Sequence, residues 1–431
     1  MRGDFMASVR KRGATYQITV SNGRDVNGKQ LVETTTFTPD PNKTEKQNKK
    51  ALEKFVFEFE EKVKSGKFLD GEKMTYKDYI DLWLKDYAYK QMEQTSIERS
   101  ESSLNNIILP AIGHLKLAKI QPLHIQGLYN NLIETGYTVN GKQKKYKANT
   151  IKRVHQIISS TLNTAVQWQL IESNPCSRVK PPKADRNVSD IKNFTLEEAQ
   201  IFLGQLDKEY VVTHSGRAKK DGSAAKVRYE THKTPLQFKV FFYLALFGGF
   251  RLGELIALTW DDIDFENNTI SITKSTARTK NGLITKAPKT ISSIRTVSMP
   301  IDTMRLLKKY KLEQNIYRIS VGDYWKGDKH IFIQDDGTQM DISTPNHTFK
   351  KIIRRYNATA EDNKRLPEIT LHGLRHTSAT LLIAQKNDVR TVSSRLGHSE
   401  CSTTMNIYAH ALRNKDEAAA NSLSDLFQKK A

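Results

Sequence analysis

Two short motifs in the second half of this sequence place an arginine three residues from a second polar side chain. Arg251 is followed by Glu254, and His372 is followed by Arg375. Side chains three apart near a helix start project from one face, so each pair can face one ligand. A guanidinium holds a phosphate oxygen with its planar fork, and Glu254 can hold Arg251 in place. The motifs suit a phosphate site, although the same spacing also occurs in ordinary surface ion pairs.

A histidine and a tyrosine follow near the C-terminus. His398 stands in a Leu-Gly-His segment and Tyr408 lies ten residues later. A tyrosine hydroxyl has a pKa near 10, so its attack on a phosphodiester needs nearby positive charge to favour the phenolate and stabilise the negative oxygens. Two arginines would supply that charge, whereas most tyrosines only pack or form hydrogen bonds.

Taken in order, these motifs resemble the tyrosine recombinase family, and most of all the integrases of Gram-positive phages and integrative conjugative elements. The resemblance covers essentially the whole chain. It implies that Tyr408 is the nucleophile and that Arg251 and Arg375 bind the scissile phosphate, with Glu254 in support. It also implies that His372 and His398 assist by hydrogen bonding or proton transfer.

The family places a further catalytic residue, a lysine, on a hairpin before an arginine-containing strand. Lys289 fits that place, and Lys286 and Lys280 compete for the assignment. A 3′-phosphotyrosine intermediate conserves the energy of the phosphodiester bond, so rejoining needs no ATP, and the sequence contains no GxxxxGK[ST] phosphate loop. We therefore expect neither a cofactor nor a metal ion.

Composition agrees with a nucleic-acid partner. The chain has 68 Lys and Arg against 47 Asp and Glu, a net charge of +21, and such an excess is typical of proteins that bind phosphate-rich partners, although it also fits a solvated basic surface. No apolar run of about 20 residues occurs that could cross a bilayer. The only cysteines, Cys176 and Cys401, suit neither a disulfide framework nor a zinc site. We expect a cytoplasmic, nucleoid-associated protein of a bacterial host, without membrane contact.

The patterns predict a multidomain, mainly α-helical chain with small β-sheets. Apolar residues alternate between positions 7 and 37, where Asn22-Gly23 and Asn27-Gly28 offer turns, and a helical period runs from Thr44 to Lys64. Residues 1–70 should thus form a three-stranded sheet plus a helix. The resemblance makes this part the domain that binds arm-type DNA sites.

Residues 71–180 are predicted to be helical, and by the resemblance they bind core-type DNA sites. Thr75 and Asp78 form a capping pattern, and a helix from Ser96 should stop at Pro110. Further helices are predicted over 123–133 and 150–170. Between these two helices lies a basic loop that can follow a DNA backbone or be merely solvated, with Lys142, Lys144, Lys145 and Lys147.

A proline-rich, basic linker over 181–192 should lead to a mixed α+β catalytic domain over 193–431, which opens on a capping box of Thr195 and Glu198. We predict strands at 269–273, 295–299 and 330–333, and an inserted polar loop at 211–233. The resemblance implies double-stranded DNA and a homotetramer assembled on it, with a host DNA-bending protein and an excisionase as further partners.

Three other functions fit part of the sequence. A type IB topoisomerase uses similar residues, although the domain order favours an integrase. Asp261, Asp262 and Asp264 could hold magnesium in a nuclease, but a polar turn is the preferred interpretation because no partner carboxylate cluster is evident. A non-enzymatic DNA-binding regulator would need only the basic surface and the helices, and it would leave the grouped Arg, His and Tyr residues unexplained.

Overall fold

A computed structural model describes residues 7–24, 28–64, 74–139, 141–183, 193–215, 227–288, 293–397 and 405. The chain forms two compact units, residues 1–186 and 187–431. In the described part of the chain, no helix is both long and apolar enough to cross a membrane.

The first unit begins with the predicted sheet and helix. Strands β1 (Ser8–Arg12), β2 (Thr15–Arg24) and β3 (Gln30–Phe37) pair antiparallel in that order, and α1 spans Glu45–Lys64. One face of the sheet packs on α1 through a small cluster of Ile18, Val20, Phe59 and Val63.

The turn predicted at Asn22-Gly23 is wrong. The chain turns between β1 and β2 at Gly13, whose φ of 61° suits glycine. Asn22 and Gly23 instead lie inside β2, where the pairing with β3 shifts register between Ser21 and Arg24. Asn27, in the second predicted turn, lies outside the described residues.

The rest of the described first unit is a helical bundle with one small hairpin. Its elements are α2 (Tyr76–Trp83), α3 (Tyr89–Gln91), α4 (Gln94–Ser103), α5 (Leu109–Ile112), α6 (Pro122–Glu134), β4 (Tyr137–Val139), β5 (Lys142–Lys144) and α7 (Ala148–Gln167). Thr75 and Asp78 form the predicted capping box at the start of α2. The Tyr79 hydroxyl donates to the backbone carbonyl of Thr161 at 2.6 Å, which ties α2 to α7 inside the core.

The prediction that Pro110 stops a helix is wrong. After α4 the chain continues through a π-helical turn, Leu104–Ile108, into α5, and Pro110 lies in the first turn of α5. A proline is tolerated there because it directly follows the wide π-helical turn, in which the Leu109 N–H donates to the Leu104 carbonyl and the regular spacing of hydrogen bonds is interrupted.

The second unit is a helical domain with short strands inserted between the helices. Its helices are α8 (Leu196–Gln205), α9 (Leu236–Phe247), α10 (Leu252–Ala257), α11 (Ile301–Val321), α12 (Thr344–Asn357), α13 (Leu371–Ala384) and α14 (Val389–Leu396). Its strands are β6 (Tyr210–Ser215), β7 (Val227–His232), β8 (Ile263–Asp264), β9 (Thr269–Ile272), β10 (Ser275–Thr279), β11 (Gly282–Lys286) and β12 (Arg295–Ser298). Thr195 and Glu198 form the predicted capping box of α8.

The core of this unit surrounds α9, whose apolar residues include Phe241 and Phe242, both fully buried. Strands β8, β9 and β12 form one sheet, in the order β12-β9-β8, and β10 pairs with β11 as a separate hairpin. The predicted strands at 269–273 and 295–299 thus correspond to β9 and β12.

Two predictions for the second unit are wrong. His330–Ile333 makes only isolated bridges, at His330 and Ile333, and no strand. In the segment predicted as an inserted loop, 211–233, the described ends pair as the antiparallel strands β6 and β7. Residues 216–226 of that segment lie outside the described residues.

Candidate active site

Arg251 lies at the start of α10, directly after the tight turn that ends α9. Gly249 in this turn has a φ of 62°, and a Cβ there would lie 2.6 Å from Leu396 Cδ2, so both backbone strain and lack of space favour glycine. Arg251 is the extended N-cap residue of α10, and its backbone N–H donates to Glu254 Oε2 at 2.9 Å. The predicted Arg251–Glu254 pair is therefore also a helix cap.

The guanidinium of Arg251 is held at two points. Nη1 donates to Glu254 Oε1 at 2.7 Å, and Nη2 donates to the carbonyl oxygen of Gly397 at 2.8 Å. The side chain remains 35% exposed. A guanidinium carries five N–H groups, so the exposed part of this one can still bind an anion from solvent.

Glu254 is only 3% exposed and accepts hydrogen bonds from two arginines. Arg295 on β12 donates through Nη2 to Oε2 at 2.8 Å and through Nη1 to Oε1 at 3.2 Å. Burial raises the pKa of Glu254, but the hydrogen bonds and charges of Arg295 and Arg251 outweigh it and lower that pKa. Glu254 is therefore an ionised carboxylate between two guanidinium groups.

Helix α13 contributes Arg375 and His372. Arg375 is only 2% exposed, and its Nη1 donates to the carbonyl oxygen of Gly249 at 2.7 Å. This bond joins the second predicted arginine to the turn that carries the first. The fold thus brings together the four predicted residues Arg251, Glu254, His372 and Arg375.

Both histidines of α13 have lowered pKa values. Partial burial lowers the pKa of His372, and the positive charges of Arg375 and Arg251 lower it further. Burial also lowers the pKa of His376 to about 4, with smaller effects from His372 and Arg375. The two rings meet edge to face, with centroids 4.8 Å apart. His372 is therefore neutral at pH 7 and can accept a hydrogen bond at one ring nitrogen.

The end of α14 meets the same group. Gly397 caps α14 in the left-handed conformation, with a φ of 67°. Arg395 Nη2 donates to the carbonyl oxygens of Phe247 at 2.8 Å and Ser298 at 3.0 Å. Burial and the nearby charge of Arg295 lower the pKa of Arg395. The backbone carbonyl oxygens of Gly397 and Arg395 in turn accept hydrogen bonds from Arg251 and Arg295.

Arg295, Arg395 and His376 were not assigned a role from the sequence. A signal for Arg295 existed: residues two apart in a strand share a face, and Val297 and Met299, on the face of Arg295, are buried. An arginine at an inward position of a strand is a candidate for a buried ion pair. Arg395 and His376 carry no comparable local signal.

Three predicted catalytic residues, Lys289, His398 and Tyr408, lie outside the described residues. The two competing lysines lie on the β10–β11 hairpin. Lys286 ends β11 and pairs with Ser275 of β10. This end of the hairpin lies close to α10, because a Cβ on Gly253 would lie 2.6 Å from Ser275 Oγ. Lys280 lies in the turn at the opposite end.

The carboxylates considered for magnesium are engaged in local contacts. Asp261 pairs with Lys329 at 2.9 Å, Asp262 pairs with Lys274 at 3.1 Å, and Asp264 accepts from the backbone N–H of Asn267 at 2.9 Å. Among the described residues no group of three or more His, Cys, Asp and Glu is arranged to hold a metal ion. These contacts are those of a polar turn between a helix and a strand.

The basic loop of the first unit is exposed. Lys142 and Lys144 lie on β5, and Tyr137 packs against Tyr146 with ring centroids 4.7 Å apart. The loop ends at Lys147, the N-cap residue of α7. All four lysines predicted to bind DNA are exposed: Lys142, Lys144, Lys145 and Lys147.

Comparisons with known proteins agree with this fold. The phage integrase family model matches residues 224–415, and the model for the N-terminal SAM-like domain of phage integrases matches residues 75–133. A tyrosine recombinase XerC-like protein of Caldanaerobacter subterraneus subsp. tengcongensis is 28% identical over 429 residues, 96% of each chain. The ICEBs1 integrase of Bacillus subtilis is 28% identical over 311 residues, 72% of each chain.

Among solved structures, the Tn1549 transposon integrase in complex with a circular intermediate DNA has a similar fold, with a TM-score of 0.61 at 19% identity. The alignment covers 81% of this chain and 99% of that one. The fold is that of a tyrosine recombinase. The chain belongs to the phage integrase family of tyrosine recombinases, enzymes that cleave and rejoin DNA strands.

Proposed function

We propose that this chain is a site-specific integrase that inserts and excises a mobile element or prophage, with Tyr408 as its nucleophile. The observation that carries the assignment of the site is the meeting of Arg251, Glu254, His372 and Arg375 around the α9–α10 turn. Its relatives support the biological role, because they include the ICEBs1 integrase and the integrase of Staphylococcus phage L54a.

In the proposed reaction the hydroxyl of Tyr408 gives its proton to a neighbouring base or to water, and its oxygen attacks the scissile phosphorus. A 3′-phosphotyrosine bond forms, the bond from phosphorus to the 5′ oxygen breaks, and that oxygen takes up a proton. Arg251 and Arg375 stabilise the negative charge that develops on the non-bridging oxygens. Because Arg375 is only 2% exposed, its contact with phosphate would need the groups that cover it to move aside when DNA binds.

His372 and His398 assist this step, and Lys289 donates the proton to the 5′ oxygen. A neutral His372, with its pKa lowered by burial and by two arginines, suits a hydrogen bond to a phosphate oxygen through its remaining N–H. Rejoining is the reverse reaction, in which a 5′ hydroxyl attacks the phosphotyrosine.

We propose that the first unit reads DNA through α7 and the loop before it. The exposed positions of α7 recur every three or four residues along five turns, and none of them is acidic: Asn149, Lys152, Arg153, Gln156, Ser160, Asn163 and Gln167. Asn and Gln side chains recognise adenine edges in the major groove, and Lys and Arg recognise guanine or phosphate. This stripe and the four loop lysines form a surface suited to a core-type site.

The domain roles follow the sequence prediction. Residues 1–70 bind arm-type sites, residues 71–180 bind core-type sites, 181–192 form the linker and 193–431 carry catalysis. The active assembly is a homotetramer on DNA, assisted by a host DNA-bending protein and an excisionase. Such an enzyme works at the bacterial nucleoid in the cytoplasm.

The test is covalent trapping on DNA. We define junction DNA as a duplex that contains the joined ends of the element carrying this gene, with a nick beside the cleavage point. The wild-type protein should become covalently attached to the 3′ end of the cut strand, and it should do so in EDTA, because arginines neutralise the phosphate. Tyr408→Phe should form no adduct yet bind junction DNA with unchanged affinity, since it loses one oxygen and little volume.

The possible outcomes separate the alternatives. An adduct with Tyr408→Phe would refute the nucleophile, and cleavage abolished by EDTA would favour the nuclease. A wild-type protein that binds but never forms an adduct would be a regulator. An enzyme that relaxes supercoiled DNA irrespective of sequence, without joining two sites, would be a topoisomerase.

A further inference from the structure

We propose that Arg295 is a positioning residue that fixes the direction of Arg251 and the backbone leading to His398. The inference rests on the proposed function and deepens it. Arg295 lies on β12, 44 residues from Arg251 in the sequence, and its side chain is only 7% exposed. It would not touch the DNA itself.

Arg295 completes the hydrogen bonding of Glu254. A carboxylate has about four lone-pair sites, and Glu254 accepts four hydrogen bonds: from the Arg251 backbone N–H, Arg251 Nη1, Arg295 Nη1 and Arg295 Nη2. With all four sites used, the carboxylate has one orientation. Glu254 in turn fixes Nη1 of Arg251, so the direction of the phosphate-binding guanidinium depends on Arg295.

The same two arginines hold the end of α14. Arg251 Nη2 donates to the carbonyl oxygen of Gly397 at 2.8 Å, and Arg295 Nε donates to that of Arg395 at 2.7 Å. A Cβ on Gly397 would lie only 2.9 Å from Arg295 Nη1, so the contact is close. Gly397 directly precedes His398 in the sequence. Arg295 therefore links the position of Arg251 to the backbone from which His398 continues.

A purely structural role explains this arrangement less well. Burying an arginine and a glutamate removes both from water, and well-packed apolar residues in their place are often as stable or more stable. Arg295 also lies over the Phe250 ring, 5.7 Å from its centroid, where an apolar side chain could pack. A charged pair at this position fits a requirement for one fixed orientation of Arg251.

The test measures cleavage by full-length protein on two versions of junction DNA. One carries the normal scissile phosphate. The other carries a methylphosphonate there, in which a methyl group replaces one non-bridging oxygen and the phosphorus centre is neutral. Sequencing the wild-type adduct first locates the scissile position. A neutral centre develops less negative charge, so a variant whose defect lies in the arginine contact should lose less on it.

Arg295→Gln should bind junction DNA within twofold of wild type and form adduct about 100-fold more slowly on normal phosphate, the size expected when one charge-stabilising donor is misplaced. On methylphosphonate the defect should shrink to less than about tenfold, as it should for Arg251→Ala and Glu254→Gln. The double variant Arg295→Gln/Glu254→Gln should be slower than Glu254→Gln alone by much less than the full Arg295→Gln factor, because the two changes share the Glu254 carboxylate and only the bond to the Arg395 carbonyl is separate.

Two controls accompany the variant. Arg305→Gln makes the same change at an exposed arginine paired with Asp302, and it should leave both rates unchanged. Arg295→Lys keeps the charge but cannot bind Glu254 bidentately and reach the Arg395 carbonyl together, so it should keep most of the defect. It provides a second measurement if Arg295→Gln does not fold.

Equal losses on both DNAs, or losses that match a reduced folded fraction in Arg295→Gln and Arg295→Lys alike, would overturn the positioning role. Independent, multiplicative effects of Arg295→Gln and Glu254→Gln would overturn it as well. A wild-type protein that forms no adduct would instead refute the proposed function, which is a separate result.

Discussion

The basic loop before α7 provides a quantitative test of how the first unit binds DNA. If each of its four exposed lysines neutralises one phosphate, replacing all four by glutamine removes four counterion-release events. The slope of log binding constant against log salt changes by about 0.9 for each phosphate contact, so it should become shallower by about 3.6. Between 50 and 200 mM salt, wild type should then lose about 150-fold more affinity than the variant.

The assay is fluorescence anisotropy with a core-type duplex that has no arm-type site, titrated at five or six salt concentrations. A matched control replaces four exposed lysines of α1 in the same unit, Lys46, Lys49, Lys50 and Lys54. On this DNA the control should retain the wild-type slope, because the proposed arm-binding part has no site to bind.

A slope that stays at the wild-type value in the loop variant would refute the reasoning and leave the loop as a solvated surface. A smaller change in slope would give the number of phosphate contacts that the loop makes, since about 0.9 is expected for each phosphate. If the α1 control flattens the slope equally, the effect is one of overall charge and the loop has no special role.

Three further predictions concern the domains, the proton donor and His376. A fragment starting at residue 72 should lose affinity for arm-type DNA but keep core-type binding in the same anisotropy assay; equal binding of both would contradict the domain roles. If Lys289 protonates the 5′ oxygen, a 5′ bridging sulfur, which needs no proton, should restore cleavage by Lys289→Ala but not by Arg251→Ala. Rescue of Lys286→Ala or Lys280→Ala alone would instead assign the general acid to that lysine. The pKa of His376 falls from 6.5 to about 4 on folding, so the unfolded state binds more protons between these pH values. The contribution of His376 to the free energy of unfolding is therefore fully present above pH 6.5 and is lost as the pH falls toward 4. From pH 7 to pH 5 this loss is at most about 2 kcal/mol, because water around the partly exposed ring screens the effect. Hydrogen exchange of α13 amides should show it, and His376→Gln should remove the part due to this ring and leave the part due to His372.

Features encoded by neighbouring residues were predictable from the sequence. The capping boxes at Thr75 and Thr195 depend on residues three apart, and both form as predicted. The Arg251–Glu254 pair is equally local, and its spacing alone predicted that the two side chains meet. Each of these contacts closes within one helical turn.

Features that depend on tertiary structure were not predictable from neighbouring residues alone. Pro110 has a local preference against the helix interior, but it directly follows a π-helical turn, where the regular spacing of hydrogen bonds is interrupted and a proline is tolerated. His330–Ile333 has the apolar pattern of a strand, yet its core position brings it only isolated bridges to Thr259 and Gln339. Periodicity reports which side chains are buried, and it does not report whether a neighbouring strand is available for pairing.

The candidate site combines local and long-range contacts, because each of its arginines is also held by a backbone carbonyl oxygen far away in the sequence. Arg251 bonds to Gly397, Arg375 to Gly249 and Arg295 to Arg395, across 146, 126 and 100 residues of chain. Every residue has a carbonyl group, so an acceptor of this kind leaves no signature in the sequence. What the sequence does show is a glycine at two of these acceptors, Gly249 and Gly397. The structure gives the reason: both are left-handed, and a side chain there would collide with Leu396 or Arg295. Residue types therefore indicated the chemistry, whereas the direction of each guanidinium depends on turns that only the assembled fold brings together.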